Sequence, residues 1–254
     1  MLKPGERLDD LQRDGLFLIQ NPDYFCYGTD AVLLSWFAEV KKGETAVDLC
    51  TGSGVIPILL SAKTAGKSFT GLEIQPECAD MARRSVLYNH LENRVSIVRG
   101  DVKEASVLFR PSSFDVVTVN PPYMAAESGL IGKNRALAAA RTEIFCTLRD
   151  VVRESSRLLR PRGRLYMVYR PFRLAELFAD LAEYGCSVSR LCMVHPKPDR
   201  EASMVLVCAV KDGRTEVHVD PPLVLMDPEG NETEKLKQIY GRKSGAAGRG
   251  ESSL

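Results

Sequence analysis

Asn120, Pro121, Pro122 and Tyr123 follow one another at the end of an apolar run, Phe114 to Val119. At average residue usage this tetrapeptide arises by chance roughly once in a thousand chains of this length. Proline fixes φ and biases the residue before it away from the helical region, which holds Asn120 and Pro121 extended. The Asn120 side-chain oxygen and the Pro121 carbonyl then stand as acceptors for the two N–H bonds of a planar amine. Accepting both bonds pushes electron density onto that nitrogen and offsets the positive charge that grows as it attacks an electrophile. No strong base is needed. Tyr123 adds a face on which a base can stack, worth ~1 to 3 kcal/mol.

Three acids stand upstream at a matching spacing. Asp48 closes the short apolar run that begins at Ala46, and Gly52-Ser53-Gly54 then turns the chain into an apolar segment of helical spacing (Val55, Ile58, Leu59). This reads as strand, tight turn and helix, with glycines where a backbone must approach a ligand or take φ > 0. A dinucleotide fingerprint wants a third glycine where Pro57 stands, and a carboxylate at Asp48 would repel a pyrophosphate. Asp48 suits a ligand bearing an ammonium group instead. Glu73 ends a second strand, Phe69 to Ile74, about twenty residues after the glycine turn, where an acid accepts from a ribose diol. Asp101 follows a third strand, Val95 to Arg99, and can take the exocyclic amine of an adenine. Thr51, Ile74 and Val102 sit in the same turns and join the candidate cofactor contacts, as does Asn120.

Asp48-Leu-Cys-Thr-Gly52-Ser-Gly54 resembles the first motif of class I S-adenosylmethionine (SAM) methyltransferases. Taken with Gly28-Thr-Asp-Ala-Val-Leu-Leu34, Asn120-Pro-Pro-Tyr123, Ala140-Arg-Thr-Glu143, Val168-Tyr-Arg-Pro171 and Val219-Asp-Pro-Pro-Leu223, the chain from about residue 8 to 243 is similar to the bacterial valine-tRNA adenine-37 N6-methyltransferase family. The resemblance implies an α/β, Rossmann-like class I fold, SAM as cofactor, and methylation of an adenine N6 amine in a tRNA anticodon loop, with catalysis at Asn120 to Tyr123. It departs from the family at Thr142, where many members have His. Two rivals remain at this point: methylation of a protein glutamine amide, and a catalytically silent RNA-binding protein.

The elements that must position these residues follow from periodicity. Leu16 to Gln20 reads as a strand, and Ala31 to Val40 as a helix capped by Thr29, with Asp30 in its first turn; Thr29 and Asp30 are further candidate cofactor contacts. Pro76 to His90 is helical, and Phe114 to Val119 is a fourth strand. Met124 to Thr142 has no periodicity and carries Lys133, Arg135 and Arg141, candidate phosphate contacts beside the reactive tetrapeptide. Beyond it come a helix from Glu143 to Leu159, a basic turn Arg160 to Gly163, a strand Arg164 to Tyr169 and a helix Arg173 to Tyr184. Strands Ser187 to Val194 and Ala202 to Val210, joined by a second basic turn at Lys197 to Arg200, give the mainly parallel sheet an antiparallel end. His195 reads as a loop residue. Val217 to Val224 reads as an edge strand and Glu232 to Tyr240 as a helix; the chain beyond 243 is polar and reads as a disordered tail.

Composition bounds the rest. The 254 residues, 44% hydrophobic and 26% charged, suit one α/β domain. No run approaches the ~18 to 20 apolar residues of a membrane span. Seven cysteines without a C-x-x-C pair read as reduced thiols of a cytoplasmic protein, with no metal site. A net charge of +1 excludes a globally basic nucleic-acid binder and leaves RNA recognition to local cations.

Overall fold

The computed structural model describes residues 2–24, 26–121, 146–214 and 216–242. A nine-stranded sheet runs through it, made of β3 (Thr45–Leu49), β4 (Ser68–Glu73), β5 (Val95–Arg99), β6 (Phe114–Val119), β7 (Leu159–Tyr169), β8 (Cys186–His195), β9 (Met204–Lys211) and the short β10 (His218–Val219) and β11 (Leu223–Val224). The strand order is β10-β8-β9-β7-β6-β3-β4-β5, with β11 also pairing β8. Only β9 runs antiparallel to its neighbours, β7 and β8. The fold is the Rossmann-like, mainly parallel sheet with an antiparallel end that the resemblance implies.

Parallel strands covered on both faces are apolar on both, and polar exceptions stand out against that background. Val47 and Leu49 join one core cluster with Val117, Val119, Leu165 and Met167, under α5 (Leu148–Leu158) and α6 (Leu174–Glu183). Ala46, Val116 and Val168 join the other, under α1 (Thr29–Phe37) and α2 (Val55–Lys63). By the same alternation Asp48, Glu73 and Thr118 belong to the α1–α2 face. The chain builds outward from β3 to β4 and β5, then returns past β3 to lay down β6. That reversal leaves a crevice at the carboxyl ends of β3 and β6, the usual ligand site of such a sheet.

Several expectations need correction. Thr29 does not cap α1: Gly28 is the cap residue, without a side-chain bond, and the Thr29 hydroxyl instead accepts from Tyr240 at 3.3 Å. Arg160 to Gly163 is not a turn before a strand but part of β7, taken up by a register shift against β6 with Arg162 at φ 66°. Val217 to Val224 supplies two short strands, both parallel to β8. Arg7–Asp10 forms a strand (β1) that the charged sequence had hidden, paired with β2 (Phe17–Gln20). Pro122, Tyr123, Lys133, Arg135, Arg141 and Thr142 lie outside the described residues, as does the tail beyond 242.

The β1–β2 hairpin is fastened to α3 (Pro76–Tyr88) by a buried hydrogen bond, Ile19 N–H to Ser85 Oγ at 2.9 Å. The Ser85 hydroxyl in turn donates to the Met81 carbonyl at 2.9 Å, and Ser85 has no exposed surface. Ser85→Ala orphans the Ile19 N–H and should destabilise the protein by about 1–3 kcal/mol in urea unfolding. Amide exchange should accelerate in the hairpin before it does in β3 or β6.

Candidate active site

Asp48 is the second-last residue of β3 and is 2% exposed. Its Oδ1 accepts from Thr118 on the neighbouring β6 at 2.7 Å, across a register pair. Its Oδ2 has no partner among the described residues, and neither does the buried Thr51 hydroxyl. Burial, with the charge of Glu73 nearby, raises the Asp48 pKa to about 7 despite the Thr51 and Thr118 hydroxyls; Thr51 stands close enough to favour the charged carboxylate but makes no hydrogen bond of good geometry to it. An orphaned, half-neutralised carboxylate is a costly feature that a cationic ligand would relieve.

The turn after β3 is built from left-handed residues. Gly52 (φ 57°) and Gly54 (φ 85°) take that conformation freely, whereas Cys50 (φ 58°) does so against its own Cβ, at about 1–2 kcal/mol. The glycines have different second reasons. A Cβ on Gly54 would come within 3.1 Å of Ala82 Cβ, so this glycine lets α3 approach. A Cβ on Gly52 would meet nothing within 4 Å, so this glycine borders open space. Gly71, on β4, makes room for Thr51: a Cβ there would stand 2.8 Å from the threonine methyl group. Gly54 caps α2 without any side-chain bond, which leaves the first N–H groups of that helix available.

Glu73 ends β4 beside Asp48 and is 5% exposed. Its Oε2 accepts the Gly52 N–H and its Oε1 the Gln75 N–H, both at 2.8 Å. Burial raises its pKa and these backbone bonds oppose the shift. Glu73 therefore shapes the glycine turn, and each oxygen keeps a lone pair for a further donor. Asp101, one strand over, caps a single 3-10 turn (Val102–Glu104) through the Lys103 N–H at 2.9 Å, and its carboxylate is partly exposed. The Val102 side chain is buried in the core, so only its backbone can face a ligand. Ile74 is half-buried beside Glu73. The three acids thus stand at the carboxyl ends of three adjacent strands.

Asn120 and the buried Pro121 continue β6 past Val119, beside the end of β3. Asn120, Pro121 and the three acids share one edge of the sheet. Asp30 lies in the first turn of α1 and folds its carboxylate back onto the Ala31 N–H at 2.8 Å. The basic segment Arg160 to Arg164 lies at the opposite, amino edge, engaged with Asp115, Glu44 and the Asp212 carbonyl. Thr118, which sequence reading passed over, was detectable as the one polar inward position late in an apolar strand.

Residues 12–183 match the methyltransferase small domain family, a span containing the glycine turn, all three acids and Asn120. The chain belongs to that family. Among the relatives of this methyltransferase, a tRNA1(Val) (adenine(37)-N6)-methyltransferase of Porphyromonas gingivalis is 32% identical over 185 residues, covering 70% of this chain and 72% of its own. An Actinobacillus pleuropneumoniae protein of the same description is 24% identical over 213 residues, covering 83% and 86%. A solved predicted O-methyltransferase of Agrobacterium tumefaciens shares the fold with a TM-score of 0.67 at 23% identity, over 84% of this chain and 95% of that one.

The Asp48 geometry makes methyltransferase stability depend on pH. The folded pKa, about 7, is raised from 3.8, so folding loses stability as pH rises between those values and levels off above 7. Between pH 5 and pH 8 this amounts to roughly 3 kcal/mol at 1.36 kcal/mol per unit. Asp48→Asn cannot titrate, so its urea-unfolding free energy should gain on the wild type by that amount over the interval. Parallel pH profiles for the two proteins would show that Asp48 is not held in a raised state.

Proposed function

We propose that this methyltransferase moves a methyl group from SAM to the exocyclic N6 amine of an adenine in tRNA, in the anticodon loop. The observation that carries the reading is the convergence of Asn120–Pro121 with Asp48 and Glu73 at the carboxyl ends of β6, β3 and β4, in a chain whose relatives are described as tRNA adenine N6-methyltransferases. The residues fit SAM. Asp48, with its orphaned oxygen, suits the ammonium group; Glu73 suits the ribose diol, and Asp101 the adenine amine of the cofactor. Gly52 and Gly54 let the backbone pass close, and Thr29, Asp30, Thr51, Ile74 and Val102 are the further contacts this reading gives the cofactor. When bound, SAM supplies an electrophilic methyl group on a sulfonium.

Asn120 Oδ1 and the Pro121 carbonyl accept the N–H bonds of the target amine and hold its lone pair toward that methyl group. Pro122 biases Pro121 toward an extended backbone and Tyr123 stacks the adenine, which must leave the base stack of its loop to reach the site. Lys133, Arg135 and Arg141, in the segment that follows, hold phosphates. Orientation supplies most of the rate, on the order of 7 to 11 kcal/mol for well-placed reactants. The reading is tested by methyl transfer from labelled SAM to bulk tRNA and, in parallel, to protein, with mass spectrometry of the tRNA nucleosides. Label in protein glutamine and none in tRNA would reassign the substrate.

Asn120→Ala should leave SAM affinity within a few fold and lower turnover at least ~100-fold, since it deletes an acceptor aimed at the reacting nitrogen. Near-normal turnover in a folded variant would remove Asn120 from the mechanism.

SAM binding should also follow the ionisation of Asp48. Only the carboxylate pairs with an ammonium group, so affinity should fall up to about tenfold per unit as pH drops below about 7. Calorimetry on wild type and Asp48→Asn separates the cases: the variant should bind weakly, without this pH dependence.

A further inference from the structure

We infer that Phe172 is a second base-stacking platform for the RNA substrate, holding an unpaired base next to the target adenine. This rests on the proposed RNA substrate and adds a contact outside the reacting tetrapeptide. Phe172 is 82% exposed, whereas its neighbours on either side are fixed. It occupies the middle of a 3-10 turn, Pro171–Arg173, immediately after β7. Arg170 ties the start of that turn to the loop before β9, donating to the Ser203 carbonyl at 3.0 Å. Arg173 closes the other side with two bonds to Glu176, at 2.8 and 2.7 Å, and its guanidinium lies over the Tyr169 ring at 5.2 Å. The turn is thus preorganised, and it presents an aromatic ring to solvent.

Its position relative to the chemistry follows from register. β7 lies parallel to β6 with Met167 opposite Val119, so Asn120 and Pro121 emerge beside Val168 and Tyr169. Phe172 is three residues further along, on the same carboxyl edge and one strand away from the amine acceptor. Single exposed apolar side chains are common and need no explanation by themselves. A rigidly held aromatic ring beside the acceptor of a planar amine has the chemistry a base stack needs, because every base offers a π face.

Among the described residues next to Phe172, the cations are largely matched by acids or by backbone carbonyls. The loop between β8 and β9 carries Lys197 and Arg200 but also Asp199 and Glu201, and Lys197 Nζ donates to the Pro228 carbonyl at 3.3 Å. Arg173 is matched by Glu176. A stack on Phe172 should be insensitive to salt, unlike phosphate contacts.

The test measures binding of an unmodified tRNA anticodon stem-loop and its methylation by wild type, Phe172→Ala, Phe172→Leu and Phe172→Tyr. The alanine and leucine variants should weaken RNA binding and raise the RNA KM by about 5- to 100-fold, the size of one base stack. Phe172→Tyr should stay near wild type. The slope of log affinity against log salt, SAM affinity and melting temperature should be unchanged throughout, since the ring is exposed and uncharged. Wild-type RNA affinity in Phe172→Ala, or full rescue by leucine, would overturn the stacking role. Loss of RNA binding in Phe172→Ala while the wild type methylates no tRNA would support the platform and overturn the proposed reaction instead.

Discussion

A carboxylate buried between two parallel strands, bonded through one oxygen and orphaned at the other, is the constraint on which the site depends. Asp48 is tolerated at the end of β3 because Thr118 stands opposite it on β6 and supplies one hydrogen bond. The remaining desolvation cost stays in the free protein and appears as a pKa near neutrality. Replacing Asp48 with an apolar residue would relieve that cost, and would remove the charge that a cationic ligand needs. Glu73 adds to the same field while anchoring the turn through the Gly52 N–H. A site of this kind is preorganised by backbone and conditionally charged by its side chains, a common bargain between stability and function.

The two edges of the sheet do different work. At the amino edge the cations of β7 find acceptors around it: Arg160 bonds Asp115 on β6, Arg164 pairs with Glu44 just before β3, and Arg162 donates to the Asp212 backbone carbonyl just after β9. Those contacts hold the start of β7 in place across its register shift against β6. At the carboxyl edge the strands end in residues that carry acceptor groups: Asp48, Glu73 and Asn120. The parallel arrangement makes this segregation automatic, because every βα turn in such a sheet falls on the same side.

The chain closes on itself near the first helix. α7 (Glu234–Tyr240), capped by Thr233 and ended by left-handed Gly241, brings the Tyr240 hydroxyl to Thr29 and Arg242 into contact with Gln12 and Glu232. The first turn of α1, which bears Asp30, is therefore positioned by residues more than 200 positions away in the chain. The family match ends at residue 183, so this clasp, like β8 and β9, lies beyond the matched part.

Local chemistry was enough to read the strands β3 to β6, the glycine turn and the acids at their ends from the sequence. Each depends on contiguous residues: apolar runs of strand length, glycine at positions of positive φ, and a carboxylate or Asn-Pro where a strand stops. The same patterns placed the antiparallel pair β8–β9. What only the tertiary structure decided is whatever required a partner distant in the chain. Thr29 is not a cap because the helix already begins at it, one residue earlier than a Thr29 cap requires, and its hydroxyl meets Tyr240 from the far end of the chain. The Arg160 to Gly163 segment reads as a turn by composition, yet it continues β7 as an irregular stretch between Leu159, opposite Phe114, and Arg164, opposite Val116 and Val210. The two basic turns look alike in sequence, and strand direction alone sends one to the amino edge and leaves the other beside the site. Asp48 owes its near-neutral pKa to burial under α1 and α2, and burial is a property of the packed molecule, absent from any short stretch of sequence.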